Sequence, residues 1–197
     1  MLVTKFVPVE RIGEAYEAGI RDFGESRVQE FISKKPLLPQ DIHWHFIGHL
    51  QTNKVKALLE VGASGRAPLL LHSLDRLELA EEIQKQAEKL GFEVESLLQV
   101  NVSREATKSG FTSEEVESAL EKMKAFERIR IRGFMTIGPL TEDHEALGKN
   151  FRELREIRDR FLGGGELSMG MSSDFERAIE EGATIVRIGA AVFGERK

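Results

Sequence analysis

LSMGMSSDFERAIEEGATIVRIGAAVFG, residues 167–194, carries the pattern from which the rest of the chain can be read. Leu167 to Gly170 is short and apolar, as a buried strand requires. Ser172, Ser173 and Asp174 favour a helix start, because their side-chain oxygens accept hydrogen bonds from first-turn N–H groups. Phe175, Ala178 and Ile179 follow at helical spacing, and Gly182 stands where a helix should stop. Thr184 to Ile188 is largely β-branched, and Gly189 closes it. The segment therefore predicts strand, helix, strand and glycine turn. Two turns then lie side by side with backbone N–H groups facing outward, the arrangement that binds a phosphate. Arg187 is the exception, a cation inside an apolar strand beside the second turn. It is expected either to face an anion or a ring nitrogen, or to be salt-bridged within an ordinary βαβ unit.

Outward from this stretch the same alternation repeats. Strands are predicted at Leu2–Phe6, Asp22–Glu25, His43–Gly48, Leu69–Ser73, Glu93–Asn101 and Ile129–Ile137. Helices fall between them. One follows Pro8, with Val9, Ile12, Ala15 and Tyr16 on one face; others run over Val28–Lys35 and from about Asn53 to Leu59. A long one should be capped by Asp75 and ended by Gly91. Another starts at Thr112 or Ser113 with a capping-box Glu, and a last one runs from about Glu142 to Phe161. Strand and helix in regular succession imply parallel strands with helices outside. Eight such units fit a closed (β/α)8 barrel or a doubly wound sheet. A phosphate-type pair of turns on the last two strands favours the α/β class as a single (β/α)8 TIM barrel, one domain over residues 1–197.

Composition narrows the chemistry. The chain has 197 residues, 41% hydrophobic and 31% charged, which suits one globular domain. No run is long and apolar enough to span a membrane and no secretory signal is visible, so a cytoplasmic protein is expected. The absence of cysteine removes disulfides, thiolate nucleophiles and Cys-ligated zinc. A net charge of −5 argues against broad nucleic-acid binding.

Chemistry in a barrel gathers where strands end. Those ends are Lys5, Glu25, His45 or Gly48, Ser73, Asn101, Met135 or Thr136, Ser172, Arg187 and Gly189. Lys5 is either a solvated strand-end lysine or a desolvated amine able to attack a carbonyl. An amine facing a phosphate cradle describes pyridoxal 5′-phosphate (PLP) held at both ends. His43, His45 and His49 suggest a rival metal site, against the simpler reading of separate hydrogen-bonded histidines. No metal ligand set is assigned.

Nine stretches add a resemblance: VTKFVPVE (3–10), FGES (23–26), WHFIGHLQTNKVK (44–56), HSLD (72–75), LLQVN (97–101), KSGF (108–111), RGFMTIGP (132–139), LSMGMSSDFERAI (167–179) and VRIGAAVFG (186–194). Together they resemble successive motifs of the PLP homeostasis protein family, which is similar to the N-terminal barrel of alanine racemase. The resemblance implies a fold-type III barrel with PLP on Lys5 as a Schiff base. It places Ser172 and the backbone of Gly189 and Ala190 on the phosphate, and Arg187 near the pyridine nitrogen. His45, Asn101 and Met135 complete the expected cofactor-binding set. It implies buffering or delivery of PLP, with effects on amino-acid and keto-acid balance; apo PLP-dependent enzymes are expected as partners, and the acidic, well-mixed composition suits a monomer. A weak racemase is the alternative. Tyr16, the one tyrosine, is expected outside the barrel and is a poor second base for racemisation. Ser26 stands where the family commonly has Asn. Family members also usually carry a helical segment ahead of the first strand, so less cover over the barrel floor is expected here.

Overall fold

The computed structural model describes residues 1–64, 67, 69–141 and 143–194. It contains strands β1 (Leu2–Val3), β2 (Asp22–Glu25), β3 (His43–Phe46), β4 (Leu69–Leu74), β5 (Val94–Gln99), β6 (Ile129–Met135), β7 (Glu166–Met171) and β8 (Ile185–Arg187). Helices α1 (Val9–Glu17), α2 (Val28–Lys34), α3 (Val55–Gly62), α4 (Leu77–Leu90), α5 (Val116–Met123), α6 (His144–Leu162), α7 (Phe175–Glu180) and α8 (Ala190–Phe193) follow them in turn. The strands pair in parallel in the order β1 to β8. Closure comes from a parallel bridge between Leu2 and Ile188, with Val3 N donating to Ile188 O at 2.7 Å. The fold is a (β/α)8 barrel, as expected.

Side-chain alternation divides the sheet into two environments. Phe23, Trp44 and Leu69 lie in one register and face the helices; Gly24, His45 and Leu70 lie in the next and face the interior. The outer set makes the core. Phe31 from α2 meets the Trp44 ring edge-on at 5.5 Å, and Phe23 tilts against it at 6.3 Å. Each such fully buried side chain contributes about 1.5–3 kcal/mol. The interior set includes buried His45, His72, Ser168 and Arg187, whereas barrel interiors are ordinarily filled by branched apolar side chains.

Helix ends mostly follow the sequence. Gly91 closes α4 at φ 73°, and Thr112 and Glu115 exchange the two hydrogen bonds of a capping box. Asp143 caps α6 through Glu145 N and Ala146 N; the expected start at Glu142 lies outside the described residues. Asp75 departs from expectation. Arg76 is the residue before α4, and the Asp75 carboxylate instead takes His49 Nδ1 at 2.9 Å and the Arg76 guanidinium at 2.6 Å. The Arg76 guanidinium and the His49 ring take a buried carboxylate that the backbone N–H groups would otherwise bond.

Gly170, next to last in β7, takes φ 89°, and a Cβ there would sit 2.6 Å from Ala178 Cβ on α7. The turn into α7 thus needs both the left-handed backbone and the missing side chain. Gly170→Ala is expected to cost about 2 kcal/mol or more, read as a lower denaturant midpoint at unchanged slope. A variant as stable as the parent would contradict this packing.

Candidate functional site

At the C-terminal ends of the strands a cavity of ≈ 370 Å³ opens between β1, β7 and β8. Lys5, Ser172, Arg187, Gly189 and Ala190 all line it, so five of the eight expected residues meet in one place. A larger hollow of ≈ 550 Å³ adjoins it across Met171 and Ser173, but it contains neither Lys5 nor Arg187.

Lys5 is not held by a strand. β1 ends at Val3 rather than at Phe6, because the chain turns back: Val7 N donates to Thr4 O, and Phe6 takes φ 64°. A cluster on the helix side of β2 fixes that turn. Lys34 Nζ donates to Thr4 O and to Glu25 Oε1, each at 2.8 Å, and to Glu30 Oε2 at 2.7 Å. Thr4 Oγ1 donates to Glu25 Oε1, and Phe6 N donates to Glu30 Oε2. Both neighbours of Lys5 are therefore anchored while Lys5 itself is exposed at the mouth. Burial pushes the Glu25 carboxyl above its ordinary range, against the hydrogen bonds from Lys34 and Thr4 that pull it down. Sequence reading missed Glu25, Glu30 and Lys34 as supports. Their only signal is a Glu and a Lys four apart on a short helix, which is usually a surface pair.

The opposite wall is backbone. Met171 N donates to the Asp174 carboxylate and Asp174 N to Met171 O, which folds Ser172 and Ser173 into a tight turn. Gly189 N donates to Ser172 Oγ at 3.5 Å, joining this turn to the one that opens α8. The first N–H groups of α8 have no helical carbonyl to bond. A hydroxyl and several N–H groups thus converge where an anion could sit.

Arg187 forms the floor. It is 5% exposed, and NH1 donates to Ser168 Oγ at 2.8 Å while NH2 donates to Thr136 O at 2.9 Å. Those bonds use two of its five N–H donors, and the residue lines the cavity. Burial lowers its pKa to about 10, with the Asp174 charge acting the other way, so it stays cationic at neutral pH. A buried cation held by two neutral oxygens still lacks a strong acceptor. A phosphorylated aromatic aldehyde with a ring nitrogen fits this donor set: amine, anion cradle and a guanidinium with donors to spare.

Three expected residues lie elsewhere. Asn101 gives its amide to the carbonyls of Glu105 and Lys108 and so shapes a neighbouring loop. Met135 is buried in β6. His45 bonds His72 and Asp22 inside the barrel, away from the mouth. The strand ends that sequence assigned to them run beyond the last paired residues of β3, β5 and β6, so the side chains point into the interior or a loop. His43 shares Asp22 with His45, whereas His49 turns to Asp75. Among the described residues no group of three His, Cys, Asp or Glu side chains could hold a metal ion. Tyr16 donates to Asp41 on the outer surface.

Residues 2–197 match the family model described as "Alanine racemase, N-terminal domain". The chain is 48% identical to the pyridoxal phosphate homeostasis protein of Aquifex aeolicus, over 98% of this chain and 85% of that one. It is 41% identical to the protein of that name from Pseudomonas aeruginosa, over 100% and 84%. Among solved structures, PipY of Synechococcus elongatus with PLP bound superposes with a TM-score of 0.85 at 36% identity, covering 98% of this chain and 92% of that one.

Proposed function

The chain belongs to the pyridoxal phosphate homeostasis proteins, within the alanine racemase N-terminal-domain family, and from that premise we propose that its mouth cavity binds PLP and that the protein buffers and delivers it. The single observation that carries this reading is the meeting of Lys5, Ser172, Gly189 and Arg187 around one cavity.

The roles follow from the donors. Lys5 Nζ would hold the aldehyde group covalently. Ser172 Oγ and the N–H groups of Gly189 and Ala190 take the phosphate. Arg187 donates to the ring nitrogen. When bound, the cofactor supplies an electrophilic carbon and a ring that can stabilise negative charge beside it. Arg187 restrains the second capacity, because a ring nitrogen that accepts from a permanent cation does not readily carry its own proton. Tyr16, at Asp41, supplies no proton-transfer group opposite Lys5. The site is built to hold the cofactor more than to turn over an amino acid. Apo PLP-dependent enzymes in the cytoplasm are the natural recipients of a monomeric carrier of this kind.

Titration of the purified protein with PLP, followed by absorbance, tests the reading. One equivalent should bind saturably, and inorganic phosphate should compete. Ser172→Ala should weaken binding roughly tenfold or more, since a hydrogen bond to a charged group is worth about 1.5–3 kcal/mol. A protein with no saturable spectral change would sink the proposal.

A further inference from the structure

One line of polar groups crosses the barrel interior from its floor to Arg187. His45 Nε2 lies 3.2 Å from Asp22 Oδ1, His45 Nδ1 lies 2.8 Å from His72 Nε2, and His72 Nδ1 lies 2.8 Å from Ser168 Oγ. Arg187 NH1 donates to that same Ser168 oxygen at 2.8 Å. His72 and Ser168 have no exposed surface, His45 is 6% exposed, and only Asp22 reaches solvent. The two histidine rings stand edge to face with centroids 5.0 Å apart.

With His45 neutral, the two ends fix the sense of every bond between them. Arg187 can only donate, so Ser168 Oγ accepts from it. Asp22 can only accept once ionised, and its pairing with His45 lowers its pKa. A neutral His45 that donates from Nε2 accepts at Nδ1. His72 must then donate from Nε2 and accept at Nδ1. The Ser168 hydroxyl hydrogen therefore points at His72 and leaves a lone pair for Arg187. Burial above all keeps His72 well below its ordinary pKa and hence neutral, as this arrangement requires.

We propose that Asp22, His45, His72 and Ser168 form a hydrogen-bond wire of one sense that positions Arg187 for the cofactor ring, with the Asp22 carboxylate at the floor setting the orientation of the buried Ser168 hydroxyl beneath Arg187. They are positioning residues: none lines the cavity, and each acts through Arg187. The dipoles of the wire all turn their negative ends toward the buried guanidinium, which offsets part of the cost of burying it. The inference rests on the reading of the cavity as a PLP site for its effect on binding, but not for the wire itself.

Histidine tautomers in the cofactor-free protein test the wire directly. With 15N-labelled histidine, two-bond proton–nitrogen spectra at neutral pH should show His45 and His72 each protonated at Nε2 and bare at Nδ1. His72 protonated at Nδ1 would overturn the proposal. Asp22→Asn keeps the shape but removes the charge, and Asn can both donate and accept. It should give mixed tautomers at His72 and weaken PLP binding roughly two- to thirtyfold, the range of a distributed coupling. Ser168→Ala should weaken binding by a similar factor from the other end. An Asp22→Asn protein with parental tautomers, or with parental PLP affinity beside altered tautomers, refutes the link. If the parent binds no PLP, the cofactor reading fails, while the tautomers still decide for or against the wire.

Discussion

Lys5→Ala is expected to end covalent capture of PLP while leaving the fold intact. In the parent, borohydride should reduce the C=N bond to a stable amine, and intact mass should rise by one reduced cofactor. The variant should gain nothing. Among the described residues, Lys5 is the one lysine that lines the cavity. Its exposure and its place in a turn mean that truncation removes little buried surface, and stability should stay within about 0.5 kcal/mol. Ser172, Gly189 and Arg187 remain, so PLP should still bind, reversibly and at least tenfold more weakly, a loss of about 1.4 kcal/mol. Equal labelling of parent and variant would place the covalent bond elsewhere and remove the basis for reading Lys5 as the amine that holds the cofactor.

Lys34→Met carries the largest expected stability effect. Lys34 is the partner of Glu25, a carboxylate with no exposed side-chain surface, and Glu25 Oε2 has no hydrogen-bond partner of its own. Removing the ammonium strands a buried charge, at a cost of about 3–5 kcal/mol. The sign with pH follows from Glu25. Its pKa is already raised above 4.5 in the folded protein by burial, and loss of Lys34 raises it further. A raised carboxyl favours the folded state where it is protonated and opposes it once ionised. The deficit of the variant should thus be largest at neutral pH and shrink as pH falls through the carboxylate range. Adding Glu25→Gln should recover most of it, and a double-mutant cycle of urea midpoints measures the coupling. A Lys34→Met protein as stable as the parent at neutral pH would show that this cluster does not bear on the fold. The same variant frees Thr4 O beside Lys5, so PLP affinity should fall with stability.

Most of the architecture was legible because it depends on periodicity. Apolar runs of strand length alternate with helical stripes, and each helix must cover the face it packs on. The paired turns were legible for a related reason. Ser172, Gly189 and Ala190 sit in turns, and turn chemistry is local in sequence. Side-chain direction was less legible where it depends on where pairing stops. His45, Asn101 and Met135 sit near strand ends, and a shift of one residue changes the face a side chain serves. Asp75 failed as a cap because His49 and Arg76, brought from a different loop and the next position, compete for it.

By itself, then, the chain's pattern of apolar spacing and turn residues determined eight parallel units, a barrel, and which residues stand at its strand ends. Tertiary structure alone decided what supports those groups. Lys34 reaches Thr4 across 30 positions, and His72 reaches Ser168 across 96. Hydrogen bonds between side chains so far apart leave no trace in local spacing, because their partners are chosen by barrel closure and burial, and a buried polar group must bond to whatever the fold sets beside it.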